Sequence, residues 1–202
     1  VRNLILLSFG NYLYDISPIG GYVMKVMKGK QSLEFEHPPY LKGWSSVVGE
    51  KEGEGPLGQA FDQIIDDPLF GQETWELAEG RFMRQAALLA IQKAEITKNQ
   101  VRYAFAGDLL EQIMATSFGI KDLEIPLFGL YGACSTAGES ISLASMTVAA
   151  GYADYALALA SSHIGSAEKQ FRFPLEYGSQ RPLSSTWTVT GAGGFVISKE
   201  KS

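Results

Sequence analysis

Residues Leu127 to Gly151 read LFGLYGACSTAGESISLASMTVAAG, a short apolar run that leads into a long succession of small side chains. The pattern predicts a strand that ends near Tyr131 and a helix that begins near Cys134, the single cysteine of the chain. A thiol at that position meets the unpaired N–H groups and the positive end of the helix dipole, which together favour an anion. The alternative, a small buried hydrophobic cysteine, stays open at this point.

The composition of this helix is unusual, because most positions from Ala133 to Gly151 are Ala, Gly, Ser or Thr. Small side chains allow other backbones to approach closely, so we expect a helix that is buried on several sides. A cysteine at the tip of such a helix predicts a pocket above that tip.

Composition narrows the classes of function. The formal net charge of −5 argues against nucleic acid or an anionic membrane surface as a broad electrostatic partner. One cysteine excludes an internal disulfide, and two histidines, His37 and His163, make a zinc site built by this chain improbable. No motif for a nucleotide, metal or other cofactor stands out, so we expect neither a cofactor nor a metal.

The rest of the chain alternates between helical and strand patterns, which predicts an α/β fold with a parallel core. Thr74 is a good N-cap for an amphipathic helix that covers a sheet. The other predicted elements are an edge strand at Lys28–Tyr40, a loop at Ser45–Gly58, a strand at Val101–Ala106, a helix at Leu109–Phe118, and strands at Ile125–Tyr131, Tyr155–Ser161 and Thr188–Ser198.

Two further stretches carry candidate site residues. Asp108 follows a predicted strand, where open α/β sheets bind ligands, but it can equally be the N-cap of the next helix. A long irregular stretch, Ala167–Trp187, contains Arg172 among aromatic residues, and segments of this kind in compact domains are usually functional.

Several motifs, in this order, resemble one protein family: FEHP at 35–38, GPLG at 55–58, AGDLL at 106–110, GLYGACST at 129–136, ASSH at 160–163 and QFRFPLEYG at 170–178. The family is stage V sporulation protein AD of spore-forming bacteria. The similarity runs from about Lys28 to Ser198. Residues 1–27 have no clear counterpart, and we expect them to be an extension or a mis-assigned start that is poorly ordered.

The resemblance implies a thiolase-like fold, a layered α/β/α arrangement with a mostly parallel mixed sheet around a buried central helix. Residues 28–202 then form the N-terminal half of a two-half protein. It also implies a non-catalytic protein that binds dipicolinic acid, with calcium, for uptake into the developing spore. Its partners would be membrane proteins of the same operon, and it would act at the forespore or spore inner membrane. It would also form a homo-oligomer or pair with a complementary second half.

On this hypothesis the ligand-binding residues are Cys134, Ser135, Ser162, His163, Arg172 and Asp108. Two alternatives stay open. One is a cysteine-dependent acyltransferase or ketoacyl-synthase-like enzyme with Cys134 as acyl acceptor, although the family's related enzymes take a catalytic His or Asn from the second half. The other is a structural half-scaffold that pairs with a second half.

Overall fold

The computed structural model describes residues 6–9, 12–15, 27–110, 112–171, 184 and 186–201. The chain divides into two compact units, residues 1–36 and 37–202. In the first unit, β1 (Leu6–Phe9) pairs antiparallel with β2 (Tyr12–Asp15), and β3 (Met27–Lys28) pairs antiparallel with β4 (Ser32–Leu33). The stretch 1–27, predicted to be poorly ordered, contains β1 and β2, and its predicted boundary falls within this unit. Its assignment as an extension stays a prediction.

The second unit holds a mixed sheet and its helices. In chain order the elements are β5 (Tyr40–Gly49), α1 (Glu50–Gly53), β6 (Gln63–Ile65), α2 (Trp75–Lys93), β7 (Tyr103–Asp108), α3 (Met114–Lys121), β8 (Leu127–Gly129), α4 (Thr136–Ala149), β9 (Tyr155–Ser162), α5 (Ile164–Phe171) and β10 (Gly191–Ser198). The order of strands across the sheet is β6-β5-β10-β9-β7-β8. Pairing is parallel for β5 with β6 and for β7 with both β8 and β9, whereas β10 runs antiparallel to β5 and β9.

The helices cover both faces of this sheet, which confirms the layered α/β/α prediction. Helices α2 and α3 lie over one face, around the buried side chains of Phe82, Met83 and Leu157. Helix α4 lies over the other face, where Phe105 and Ala158 belong to a second buried cluster. Burying both faces explains why β9 is a nearly continuous apolar run.

Helix α4 differs from the prediction in one respect. It buries a single stripe of residues spaced four apart, Thr136, Ser140, Ala144 and Val148, and leaves Ser142 and Met146 on its exposed face. Burial on several sides was therefore wrong for the residues described. A small-residue helix with one open face remains suited to close packing with a further element.

The N-terminal strand of the sheet was placed wrongly by the sequence pattern. The predicted edge strand at Lys28–Tyr40 is a two-residue hairpin pairing followed by irregular chain, and β5 begins at Tyr40, after the proline pair. The predicted loop at Ser45–Gly58 begins inside β5. The reason is that Gly43 lies directly under α2: a Cβ there would be 2.6 Å from the carbonyl oxygen of Ala90, so the strand needs a glycine that strand propensity disfavours.

Helix α3 also begins later than predicted, at Met114 rather than at Leu109. Its first turn follows Ile113, which has a φ of 56°, so the chain makes a left-handed turn before the helix can start. The helix after Thr74 is confirmed, because the Thr74 side chain accepts a hydrogen bond of 3.3 Å from the Leu77 N–H.

Candidate functional site

Cys134 lies where strand β8 leads into helix α4, as the sequence predicted. It occupies a single turn of 3-10 helix, Ala133–Ser135, that continues directly into α4, and its side chain is exposed. The preceding Ala133 has a φ of 45°, in the left-handed region that favours glycine. A strained residue of this kind persists only where the surroundings hold it.

A cavity of about 480 Å³ opens on one side of Cys134. It lies beyond the strand ends of the sheet, on the side where β5 and β9 end and β10 begins. Gly191 there pairs with both Val48 and Ser162. Phe61 and Trp187 contribute aromatic surface, and Ala137 of α4 forms part of the floor. The described residues that line this cavity include no charged side chain.

A second depression lies on the other side of the thiol. It is lined by Tyr131, Cys134, Ser135 and Glu139, so the sulfur is accessible from two directions. The Ser135 hydroxyl donates to the Gly132 carbonyl at 2.9 Å, which fixes the turn that carries the cysteine. Ser135 therefore faces a different depression from the one that Ser162 lines.

Ser162 is the predicted residue that shares the first cavity with Cys134. Its hydroxyl donates to the Val189 carbonyl oxygen at 2.6 Å, so its hydrogen is engaged while its lone pairs stay available. The bond holds the chain before β10 against the end of β9, which closes one wall of the cavity.

His163 follows Ser162 in the chain, but its ring lies behind the sheet edge and is 1% exposed. The Nε2–H group donates to the Pro68 carbonyl at 2.7 Å, and Nδ1 accepts from the Gly165 N–H at 3.0 Å. Burial lowers the pKa of this imidazole, which favours the neutral ring. A ligand over Cys134 would reach the ring only by displacing Pro68 or Gly165, so the structure does not bring His163 to the cavity.

Asp108 is 2% exposed and also lies outside the cavity. One of its carboxylate oxygens, Oδ2, accepts hydrogen bonds from the Thr116 N–H at 3.1 Å and from the Thr116 hydroxyl at 2.8 Å. Thr116 is the third residue of α3, so Asp108 satisfies a donor of the first helical turn from eight residues away. Asp108 is not the N-cap that the alternative predicted, because Ile113 holds that position, and among the described residues Asp108 Oδ1 has no hydrogen-bond partner.

Glu79 is a residue that the sequence analysis missed. It projects from α2 into the protein and is 1% exposed, where its two oxygens meet the hydroxyls of Ser161 at 3.0 Å and Ser166 at 2.9 Å. Burial raises the pKa of this carboxyl to about 7, and the nearby Asp108 adds to the rise. The sequence signal that could have identified Glu79 is its position on the buried face of α2, between Ala78 and Phe82, where a charged residue is rare.

The hydrogen-bond count around Ser166 agrees with a neutral Glu79. The Ser166 hydroxyl lies 3.1 Å from the His163 carbonyl as well as 2.9 Å from the Glu79 carboxyl, but it has one hydrogen to donate. If Ser166 donates to the carbonyl, the carboxylic acid donates to Ser166 and every polar atom is satisfied. This network ties α2 to the end of β9 and the start of α5, just behind the cavity wall.

Arg172, the remaining predicted site residue, lies in 172–183, outside the described residues. Its role as a ligand-binding residue stays a prediction.

The fold is similar to those of solved condensing enzymes. The priming β-ketosynthase of the R1128 polyketide pathway gives a TM-score of 0.54 at 16% identity over 85% of this chain and 52% of that chain. OleA of Xanthomonas campestris gives a TM-score of 0.51 at 16% identity, over 80% of this chain and 56% of that chain. The 3-oxoacyl-(acyl carrier protein) synthase III, FabH, of Xanthomonas oryzae gives a TM-score of 0.51 at 17% identity, over 81% of this chain and 56% of that chain. The fold is thus thiolase-like and corresponds to about half of each of these enzymes.

Sequence comparison gives the family. Residues 29–202 match stage V sporulation protein AD, and the chain belongs to that sporulation family. It is 43% identical over 173 residues to stage V sporulation protein AD of Bacillus subtilis, an alignment that covers 86% of this chain and 51% of the relative. The chain thus spans about half the length of that relative.

Proposed function

We propose that this chain contributes the binding half of a non-catalytic protein that takes up dipicolinic acid, with calcium, into the developing spore. The observation that carries the proposal is the cavity of about 480 Å³ over Cys134, which combines aromatic walls with the first turn of a helix. Dipicolinate is a flat aromatic ring with two carboxylates. Phe61 and Trp187 offer surface to the ring, and the helix start offers a favourable field to a carboxylate.

The charge of the ligand needs further compensation. No described residue of the cavity is cationic, so the proposal assigns that role to bound calcium and to Arg172. A calcium ion held by the two carboxylates and the ring nitrogen leaves a neutral complex, which costs less to bury than a bare dianion. Cys134 and Ser162 then contact the ligand, whereas Ser135, Asp108 and His163 lie outside this cavity.

Calorimetric titration tests this proposal most simply. Dipicolinate should bind the chain, and isophthalate, which has both carboxylates but no ring nitrogen, should bind more weakly when calcium is present. Equal heats for the two compounds in the presence of calcium would contradict a chelate as the bound species.

The same proposal places the protein beside a membrane. In the described part of the chain no helix is long and apolar enough to cross a bilayer. We propose that it acts peripherally at the forespore or spore inner membrane, with membrane proteins of the same operon, and as an oligomer or with a complementary second half. Co-purification of the full-length family member with those membrane proteins would support this.

One observation favours a second function, acyl transfer to Cys134. The thiol is exposed between two depressions, behind a residue with strained backbone, in a fold shared with condensing enzymes. A nucleophilic cysteine also needs a base, and His163 lies outside the cavity with both ring nitrogens engaged. Intact mass after incubation with acyl-coenzyme A decides: a stable adduct on Cys134 would support acyl transfer, and an unchanged mass would argue against it.

A further inference from the structure

Helices α2 and α3 cross in close contact on the face of the sheet opposite α4. A Cβ added at Gly80 would lie 2.9 Å from the carbonyl oxygen of Ala115, and one added at Gly119 would lie 2.6 Å from the carbonyl oxygen of Gly80. Beside this crossing the longer side chains spread apart and leave a depression of about 530 Å³. We call it the α2–α3 groove; its principal walls are Leu77, Arg81, Arg84, Leu88, Phe118 and Lys121.

The charge of the groove is opposite to that of the chain. Three cationic side chains and one anionic side chain, Asp122, line it, which gives +2 within a chain of net charge −5. Arg84 is paired with Asp122 at 2.7 Å. Arg81 and Lys121 form no ion pair with any residue that the structure describes. Two cations therefore face the groove without a neutralising carboxylate.

One of these cations is held in place. The guanidinium of Arg81 lies 4.9 Å from the centre of the Phe70 ring, a cation–π contact. A guanidinium fixed in this way loses less side-chain entropy when it binds a carboxylate, so its planar fork is ready for a bidentate partner.

The groove also has apolar walls that are exposed to solvent. Phe118 of α3 is 53% exposed and Leu88 of α2 is 39% exposed, on the two helices that flank the groove. Cations between exposed apolar side chains match a ligand that carries carboxylates next to an apolar group.

We propose that the α2–α3 groove docks an acidic segment of a partner protein, with an apolar side chain of that segment between Leu88 and Phe118 and its carboxylates on Arg81 and Lys121. A small inorganic anion would leave the apolar walls in water. An anionic bilayer is a poorer match, because the groove is concave and the chain as a whole is acidic. The site is separate from the cavity over Cys134 and does not depend on its ligand.

Fluorescence anisotropy tests the proposal with a labelled peptide that repeats glutamate–leucine–glutamate. The native chain should bind this peptide, and the double variant Arg81→Gln, Lys121→Gln should bind it at least ~10-fold more weakly, as the loss of two charge-assisted contacts predicts. Phe118→Ser should weaken binding as well. Lys51→Gln, which removes a cation outside the groove, is the matched control and should leave the affinity unchanged.

Each of the following results would overturn the proposal. Equal binding of a glutamine–leucine–glutamine peptide would show apolar adhesion instead. Equal binding by the native chain and the double variant, or no binding by the native chain, would remove the groove as a docking site. Binding of phosphatidylglycerol vesicles or inorganic phosphate that the double variant abolishes, without peptide binding, would assign the groove to a lipid or a free anion.

Discussion

The carboxyl group of Glu79 accepts a hydrogen bond of 3.0 Å from the hydroxyl of Ser161, and this bond joins helix α2 to the end of strand β9. Ser161 stands opposite Asp108 in the sheet, so the buried Asp108 carboxyl lies near enough to Glu79 to raise its pKa further. Two buried carboxyls without a cation are costly when both are charged. A neutral Glu79 removes that cost.

This arrangement predicts how stability depends on pH. The pKa of Glu79 rises from 4.5 to about 7 on folding, so the folded state binds the proton more tightly than the unfolded state. The free energy of unfolding should therefore fall as pH rises from about 4.5 to about 7, by at most ~3 kcal/mol. Glu79→Gln cannot titrate and keeps a donor toward Ser166, so its stability should change less over this range and exceed that of the native chain at pH 8.

Urea unfolding followed by circular dichroism at several pH values measures this effect. Glu124→Gln, in an exposed ion pair with Lys98, is the matched control and should follow the native chain. Parallel pH profiles for the native chain and Glu79→Gln would show that Glu79 is charged in the folded protein.

Close packing of α2 on the sheet predicts the effect of two glycine substitutions. Gly43→Ala would put a Cβ 2.6 Å from the Ala90 carbonyl oxygen of α2 and 2.7 Å from the nitrogen of Ala94, which follows the helix. Helix α2 must therefore move, and we expect the free energy of unfolding to fall by ~2 kcal/mol or more. Gly138 of α4 has nothing within 4 Å of such a Cβ, so Gly138→Ala should stabilise by ~0.5–1 kcal/mol through helix propensity. Thermal unfolding of both variants checks this, and a Gly43→Ala variant as stable as the native chain would refute the packing.

The open face of α4 predicts self-association of this chain. Met146 is 39% exposed on a helix of small residues, and the chain spans about half of its curated relative. Size-exclusion chromatography with light scattering should give a mass that grows with concentration, and Met146→Glu should shift it toward the monomer. A native chain that stays monomeric at every concentration would show that this face is stable in water.

Two of the proposed binding residues predict losses of affinity. Arg172→Ala should weaken dipicolinate binding because a cationic fork is removed, and alkylation of Cys134 with a bulky reagent should weaken it by filling the space. Calorimetry with Lys169→Ala, whose side chain pairs with Glu76, serves as the control for Arg172. Unchanged affinity after both modifications would remove this assignment.

The parts of the fold that the sequence predicted well are those with strong local signals. The Thr74 cap opens α2, the apolar run Tyr155–Ser162 forms a strand buried on both faces, and the Gly132–Ser135 turn leads into α4. Local propensity decides each of these elements, so no distant contact was needed to find them.

Other elements depend on contacts between distant residues, which a local pattern does not reveal. The sequence of β5 lacks a clean alternation of apolar and polar residues because two of its buried positions are Gly43 and Ser45, which both pack against helix α2. The Ser45 hydroxyl donates to the Ala86 carbonyl at 2.6 Å. Helix α3 was placed too early because Ile113, with a φ of 56°, turns the chain before the helix starts, and the Thr116 N–H donates to Asp108 eight residues back. The engaged ring of His163 depends on Pro68, 95 residues away.

The cavity over Cys134 is tested most directly by filling it. Ala137→Phe places a large ring in the cavity floor, whereas Ala150→Phe adds the same ring at an exposed position beyond the end of α4 and outside the cavity. In calorimetric titration with dipicolinate and calcium, we predict binding to the native chain and to Ala150→Phe, and at least ~10-fold weaker binding to Ala137→Phe. Equal affinity for Ala137→Phe and the native chain, or no binding to the native chain, would contradict a ligand site above this cysteine.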